Sequence, residues 1–324
     1  KTFAKDFESL KKQVLKVRPI LAELIKKHGN QNLYQYAKEY KDVNMNPIIE
    51  SRKDELISTL HSMVEKRLDK NVADSVSKQL KKYYFVSTTD HHGPISHPYF
   101  LNTNLVQALN CMDGIDPEMQ NVVALSCANI SLNNSSYPRG IIFQAHTNNH
   151  TRFQRLPFLP AADRLCPVYD YRAYSPEDMQ RVKKTIAEKV RNKEINPPLQ
   201  EKLNNLIDEI YGNDYMYNST DFAEQITKSN YKLWSKLFQH SKVSVPNLVF
   251  IEQELLVANL LINHHLFSDT ILNKMIFDPD YAKLIEHYFE GMEGGFSKLN
   301  KTGTYLFWGL PKGAKYRLQL WRDN

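Results

Sequence analysis

The period of the apolar residues changes once along this chain, and that change limits its fold more than any other feature. Through residue 82 the period is helical. Phe3, Phe7, Leu10, Val14, Val17, Leu21 and Leu24 alternate spacings of four and three, which is one stripe on a helix. Pro19 falls inside that stripe and should kink or divide it. Ile49, Leu56, Leu60, Met63 and Val64 mark a second long helix, opened by Asn46-Pro47 as cap and first-turn residue. Val72, Val76 and Leu80 mark a shorter one. Residues 1–82 are therefore expected to form a helical region. It either packs on the core or serves as an arm that joins two copies into a homodimer.

The character changes at Tyr83. YYFVSTT has the aromatic and β-branched content of a buried strand, and NVVALSCANI (121–130) and GIIFQA (140–145) read the same way. A helix is expected between the first two, over 98–110. Three prolines and little periodicity make 151–174 read as loop. At Ser175 a serine, a proline and then acids form a helix start. Further helices are expected at 198–211, 220–239, 247–266 and 279–290, and TYLFWG and YRLQLW as a closing hairpin. The expected class is α+β, with a helical N-terminal region (1–82) and a core (83–324). The core holds a small central sheet, a mainly helical C-terminal half and the terminal β-hairpin.

Composition excludes several functions. Of 324 residues 42% are hydrophobic and 24% charged, and no apolar run approaches the roughly 20 residues that span a bilayer, so no membrane partner is expected. KTFAKDFESLKK has no apolar h-region, so no signal peptide is expected. Cys111, Cys127 and Cys166 make neither a CxxC pair nor a disulfide framework, which points to a cytoplasmic protein. The net charge of +6 comes without an RNP-like motif, a zinc finger or a basic helix, so nucleic acid is not the expected partner. P-loop, Rossmann and GxSxG signatures are absent.

The chemistry concentrates where the first strand ends, in FVSTTDHHGPISHPYF. Asp90, His91, His92 and His97 arrive together, broken by Gly93, Pro94 and Pro98, and His146 and His150 follow in HTNNH. A rigid strand that empties into a Gly/Pro turn fixes the backbone and presents side chains. Histidine and aspartate are ligands for zinc, iron or manganese, three or four of which must converge at about 2.0–2.2 Å. Asp90, His91, His92, His97, His146 and His150 are thus the candidate ligands of a divalent metal. Asp90 and His92 are candidates for acid–base work, together with Glu252, which opens a polar stripe with Asn259 and Asn263 on the apolar segment 248–267.

Arginine concentrates in one window, at Arg139, Arg152, Arg155, Arg164 and Arg172. Its planar fork recognises carboxylate or phosphate, so Arg139 and Arg155 are expected to hold a small anionic substrate in a pocket shaped by Asn133 and Asn134. A metal-dependent hydrolase is the simplest reaction class, because a metal-bound water supplies the nucleophile near neutral pH. The alternatives are a metal-free His/Asp acid–base enzyme and a noncatalytic helical interaction protein with structural histidines. YYFVSTTDHH resembles the strand-end motif of DHH phosphoesterases. Residues 1–82 carry none of that family's upstream Asp-rich motifs, so its activity is not taken over.

Overall fold

The computed structural model describes residues 2–39, 47–83, 86–95, 98–111, 119–130, 132, 139–147, 150–160, 167–242, 244–289, 308–309 and 318–319. Five helices lead to the first strand: α1 (Thr2–Val17), α2 (Pro19–His28), α3 (Leu33–Glu39), α4 (Pro47–Arg67) and α5 (Lys70–Lys82). Then come β1 (Ser87–His91), α6 (Pro98–Cys111), β2 (Asn121–Cys127) and the hairpin β3 (Gly140–Thr147) and β4 (His150–Pro157). Helices α7 (Pro176–Arg191), α8 (Pro197–Leu206), α9 (Asp214–Tyr217) and α10 (Phe222–Phe238) precede β5 (Asn247–Glu252). Last are α11 (Gln253–Leu260), α12 (Ile271–Phe277), α13 (Pro279–Phe289) and the antiparallel pair β6 (Trp308–Gly309) and β7 (Leu318–Gln319). The class is α+β, with a helical start and a paired strand segment near the end, as the periodicity implies.

Pro19 divides the first stripe: Arg18 leaves helical backbone at φ −127°, ψ 75°, and Pro19 opens α2. Ser175 caps α7 through a full capping box, its hydroxyl accepting from the Asp178 N–H while the Asp178 carboxylate accepts from the Ser175 N–H. Pro47 begins α4; the expected cap Asn46 lies outside the described residues.

Three parallel strands in the order β1-β2-β5 form the central sheet. Strands β2 and β5 are buried on both faces, and their alternate residues go to different layers. Val122, Ala124, Leu248 and Phe250 join a large core with residues of α6, α7 and α10. Val123, Val249 and Ile251 join Leu60, Val64, Val76 and Leu80 of α4 and α5. The second half of the N-terminal helical region is thus a layer of the core.

Two expectations are corrected. Segment 247–266 is not one helix: Asn247–Glu252 is strand β5, and α11 begins at Gln253. A strand buried on both faces is a continuous apolar run, so NLVFIE offers no alternation to set it apart from the helix that follows. The expected loop 151–174 likewise begins as β4, held by its pairing with β3, in which Ile141 stands opposite Leu156. Of HTNNH, His146 and Thr147 close β3 and His150 opens β4, with Thr147 paired to His150.

Candidate functional site

In a parallel sheet the strands' carboxyl ends face one way, and in open sheets ligands bind along that edge. Here the edge collects the polar residues of all three strands. β1 ends in His91 and leads into His92, β2 ends in Ser126-Cys127, and β5 ends in Glu252. The register slips between Thr89 and His91, so that Thr89 stands opposite Ser126 and His91 opposite Cys127. Asp90 is the extra residue of a β-bulge. Bulges are rare in parallel pairs and recur beside active sites, where they re-aim side chains.

His92 is fully buried and stacks on Phe250 with ring centroids 5.1 Å apart. Its Nε2 lies 2.8 Å from the Ala223 carbonyl, which can only accept, so that nitrogen carries the proton. Burial, first of all, lowers the pKa of this imidazole and keeps it neutral, although Glu252 pulls the other way. Nδ1 therefore accepts the Ser126 hydroxyl proton across 2.6 Å. Both ring nitrogens are engaged inside the fold, which leaves no lone pair for a metal and no open proton-transfer position. The catalytic and ligand roles expected of His92 do not match this geometry; it ties β1, β2 and α10 together.

Beside it lies a buried ion cluster that the sequence reading missed apart from Glu252. Arg67, the last residue of α4, donates from Nη2 to Glu252 Oε1 at 2.6 Å. Its Nη1 donates to Glu224 Oε2 at 3.2 Å and to Asp221 at 3.3 and 3.4 Å. Burial alone would lower the guanidinium pKa; Glu252, Asp221 and Glu224 outweigh it and hold that pKa above its usual value. Lys228 binds the other oxygen of Glu224 at 2.7 Å. Burial pushes the Glu224 carboxyl up, but Lys228 and Thr220 together bring it below the ordinary range. Two buried atoms of this cluster, Arg67 Nε and Glu252 Oε2, have no hydrogen-bond partner among the described residues.

Arg67 also lines a cleft of about 450 Å³ between α4 and α11. Ser58, Thr59, Ser62, Met63 and Lys66 come from α4, and Leu255, Asn259, Asn263 and His264 from the opposite wall. Residues Leu261–His265 wind as a π-helical turn, a local widening that is frequent at functional sites. Among the described residues the lining holds two permanent cations, Lys66 and Arg67, and no carboxylate. Asn259 and Asn263 of the expected polar stripe face this cleft, while Glu252 turns inward to Arg67.

The remaining expected residues are placed as follows. His91 is buried at the end of β1, and Arg139 is half-buried beside β3. Arg155 is exposed on β4, opposite Ile142. Arg172 of the same arginine window binds Asp178 at 2.6 Å, a structural pair. His97, Asn133 and Asn134 lie outside the described residues, and of Asp90, His146 and His150 only the backbone is described. Among the described residues no three His, Cys, Asp or Glu side chains converge as metal ligands, and no helix is long and apolar enough to cross a membrane. Comparison with known proteins finds no matching family model, no curated relative and no similar solved structure.

Proposed function

We propose that the protein binds a small carboxylate- or phosphate-bearing molecule in the α4–α11 cleft and acts on it along the carboxyl edge of the parallel sheet. One observation carries this reading: among the described residues, the cleft beside the end of β5 offers cations, amides and hydroxyls and no acid. Lys66 supplies charge, Asn259, Asn263, Ser58 and Ser62 supply hydrogen bonds, and Arg67 is oriented in advance by its carboxylates. Its volume falls in the roughly 300–1,000 Å³ range of small-molecule sites. The cytoplasmic setting and a homodimer through the N-terminal helices belong to the same proposal. Calorimetric titration with inorganic phosphate and with succinate tests it. Saturable binding to the parent that disappears in Lys66→Ala and Asn263→Ala is the expected result. Absence of binding, or binding that ignores both changes, overturns it.

Metal-dependent hydrolysis is the second reading, and the bulge at Asp90 favours it. His92 is spent on the fold, so the ligands would be sought among Asp90, His91 and His97. Elemental analysis of protein purified without a His tag, beside Asp90→Asn, decides. Near-stoichiometric zinc, iron or manganese lost in the variant supports this chemistry; a metal-free parent removes it.

A further inference from the structure

We propose that α1 and α2 lie flat on an anionic lipid surface, each with its own apolar face turned into the lipid. The proposal does not rest on the ligand cleft. Phe7, Leu10, Val14 and Val17 share one face of α1 and are 41–71% exposed. Lys5, Lys12 and Lys16 fall on the opposite face, with Asp6 and Lys11 at its borders. Arg18 leaves helical backbone, so α2 carries a separate face. Ile20, Leu21, Leu24 and Ile25 stand on that face, 40–48% exposed, with Glu23 and Lys26 opposite them. No residue of α2 is buried. Helices of this length are marginal alone in water, and a surface that takes up their apolar faces stabilises them.

Charge identifies the surface. Residues 1–28 hold eight Lys and Arg against three Asp and Glu, a net +5 of the chain's +6, which leaves the rest of the chain near balance. Lys12, Lys16, Arg18, Lys26 and Lys27 are all exposed. Cations beside an uncovered apolar face are what an interfacial helix offers to acidic headgroups. The other group of exposed apolar residues, Ile262, Phe267, Ile271 and Phe277, lacks this complement: residues 262–289 hold two Lys and four Asp or Glu. A second copy seated on the same faces would set two segments of net +5 against each other, so the homodimer named above falls to the rest of the N-terminal region. The break at Arg18 also suits lipid, since a fluid surface accepts two separate faces without a matched register. The contact is peripheral: among the described residues no helix is long and apolar enough to cross a membrane, and an interfacial helix needs no spanning run.

Flotation of the full chain with lipid vesicles tests the proposal. The chain should float with phosphatidylcholine vesicles that contain phosphatidylserine and stay behind with phosphatidylcholine alone, and added salt should release it. Lys12→Glu/Lys16→Glu and Leu10→Asp/Val14→Asp should each weaken partition onto the phosphatidylserine vesicles by roughly tenfold or more. Circular dichroism without lipid should be unchanged in both, because these side chains lie outside the core. Leu10→Trp should emit at shorter wavelength on those vesicles, as an indole does on leaving water. No flotation, equal flotation with neutral vesicles, or indifference to either double variant overturns the proposal. So does a parent that does not float and forms a dimer in sedimentation velocity that Leu10→Asp/Val14→Asp dissociates, the outcome that assigns these faces to a second copy.

Discussion

Arg67 and Glu252 meet at 2.6 Å, joining the last turn of α4 to the carboxyl end of β5. Both are nearly fully buried, so the pair links a helix layer to the sheet and cannot be replaced by water. Arg67→Ala would leave Glu252, Glu224 and Asp221 facing one another, with Lys228 still paired to Glu224. Leaving a buried charge without its partner costs about 3–5 kcal/mol. We expect a loss of that size in urea unfolding. Arg67→Met/Glu252→Leu should recover part of it, since one of the stranded carboxylates, Glu252, is then replaced by an apolar side chain. A single variant within about 0.5 kcal/mol of the parent would contradict the burial of the cluster.

The His92–Ser126 hydrogen bond gives stability a pH dependence. Burial sets the folded-state pKa of His92 below the unfolded value of about 6.5. Below that value the unfolded chain binds a proton that the folded one refuses. This contribution is therefore complete above about pH 6.5 and is lost as pH falls toward the folded pKa. Unfolding free energies measured from pH 7.5 to 5.5 should decline in the parent and decline less in His92→Gln. Ser126→Ala leaves Nδ1 buried without a donor and should cost about 1–3 kcal/mol at pH 7.5.

Ser175→Ala removes one half of the capping box that starts α7. The expected loss is about 1 kcal/mol in chemical denaturation. Asp178, which is depressed in pKa against its burial by Arg172 and the Ser175 N–H, keeps its bond to Arg172 in this variant.

Gly140 opens β3 opposite Pro157, and a Cβ placed there would run into the Leu156 carbonyl oxygen. Gly140→Ala should cost roughly 1–3 kcal/mol through displacement of the hairpin backbone. A thermal midpoint equal to that of the parent would refute so close an approach.

Much of the architecture is legible in the sequence wherever one face is wet. The stripes of α4 and α5, the cap at Ser175 and the strand GIIFQA all carry their own signal, and NVVALSC, though buried on both faces, is set off as a strand by its β-branched content. Reading fails where burial is two-sided, as in NLVFIE, because alternation vanishes when both faces are apolar. It fails differently at the site. Arg67 is one basic residue in EKRLDK, indistinguishable from its solvated neighbours, and its partners arrive from α10 and β5. His92 was conspicuous for its neighbours, yet what decides its role is a carbonyl of α10 and a hydroxyl of β2, contacts that no local pattern encodes.

The pairing of Val122 with Leu248 has a consequence for how the chain is made. During synthesis β1 and β2 emerge early, whereas β5 is still untranslated until the whole hairpin and four helices have left the ribosome. Until then the flank of β2 is a bare edge, and Leu60, Val64, Val76 and Leu80 lack the strand that completes their cover. The nascent protein therefore passes through a long interval in which its most aggregation-prone surface is the one that will later be its most protected.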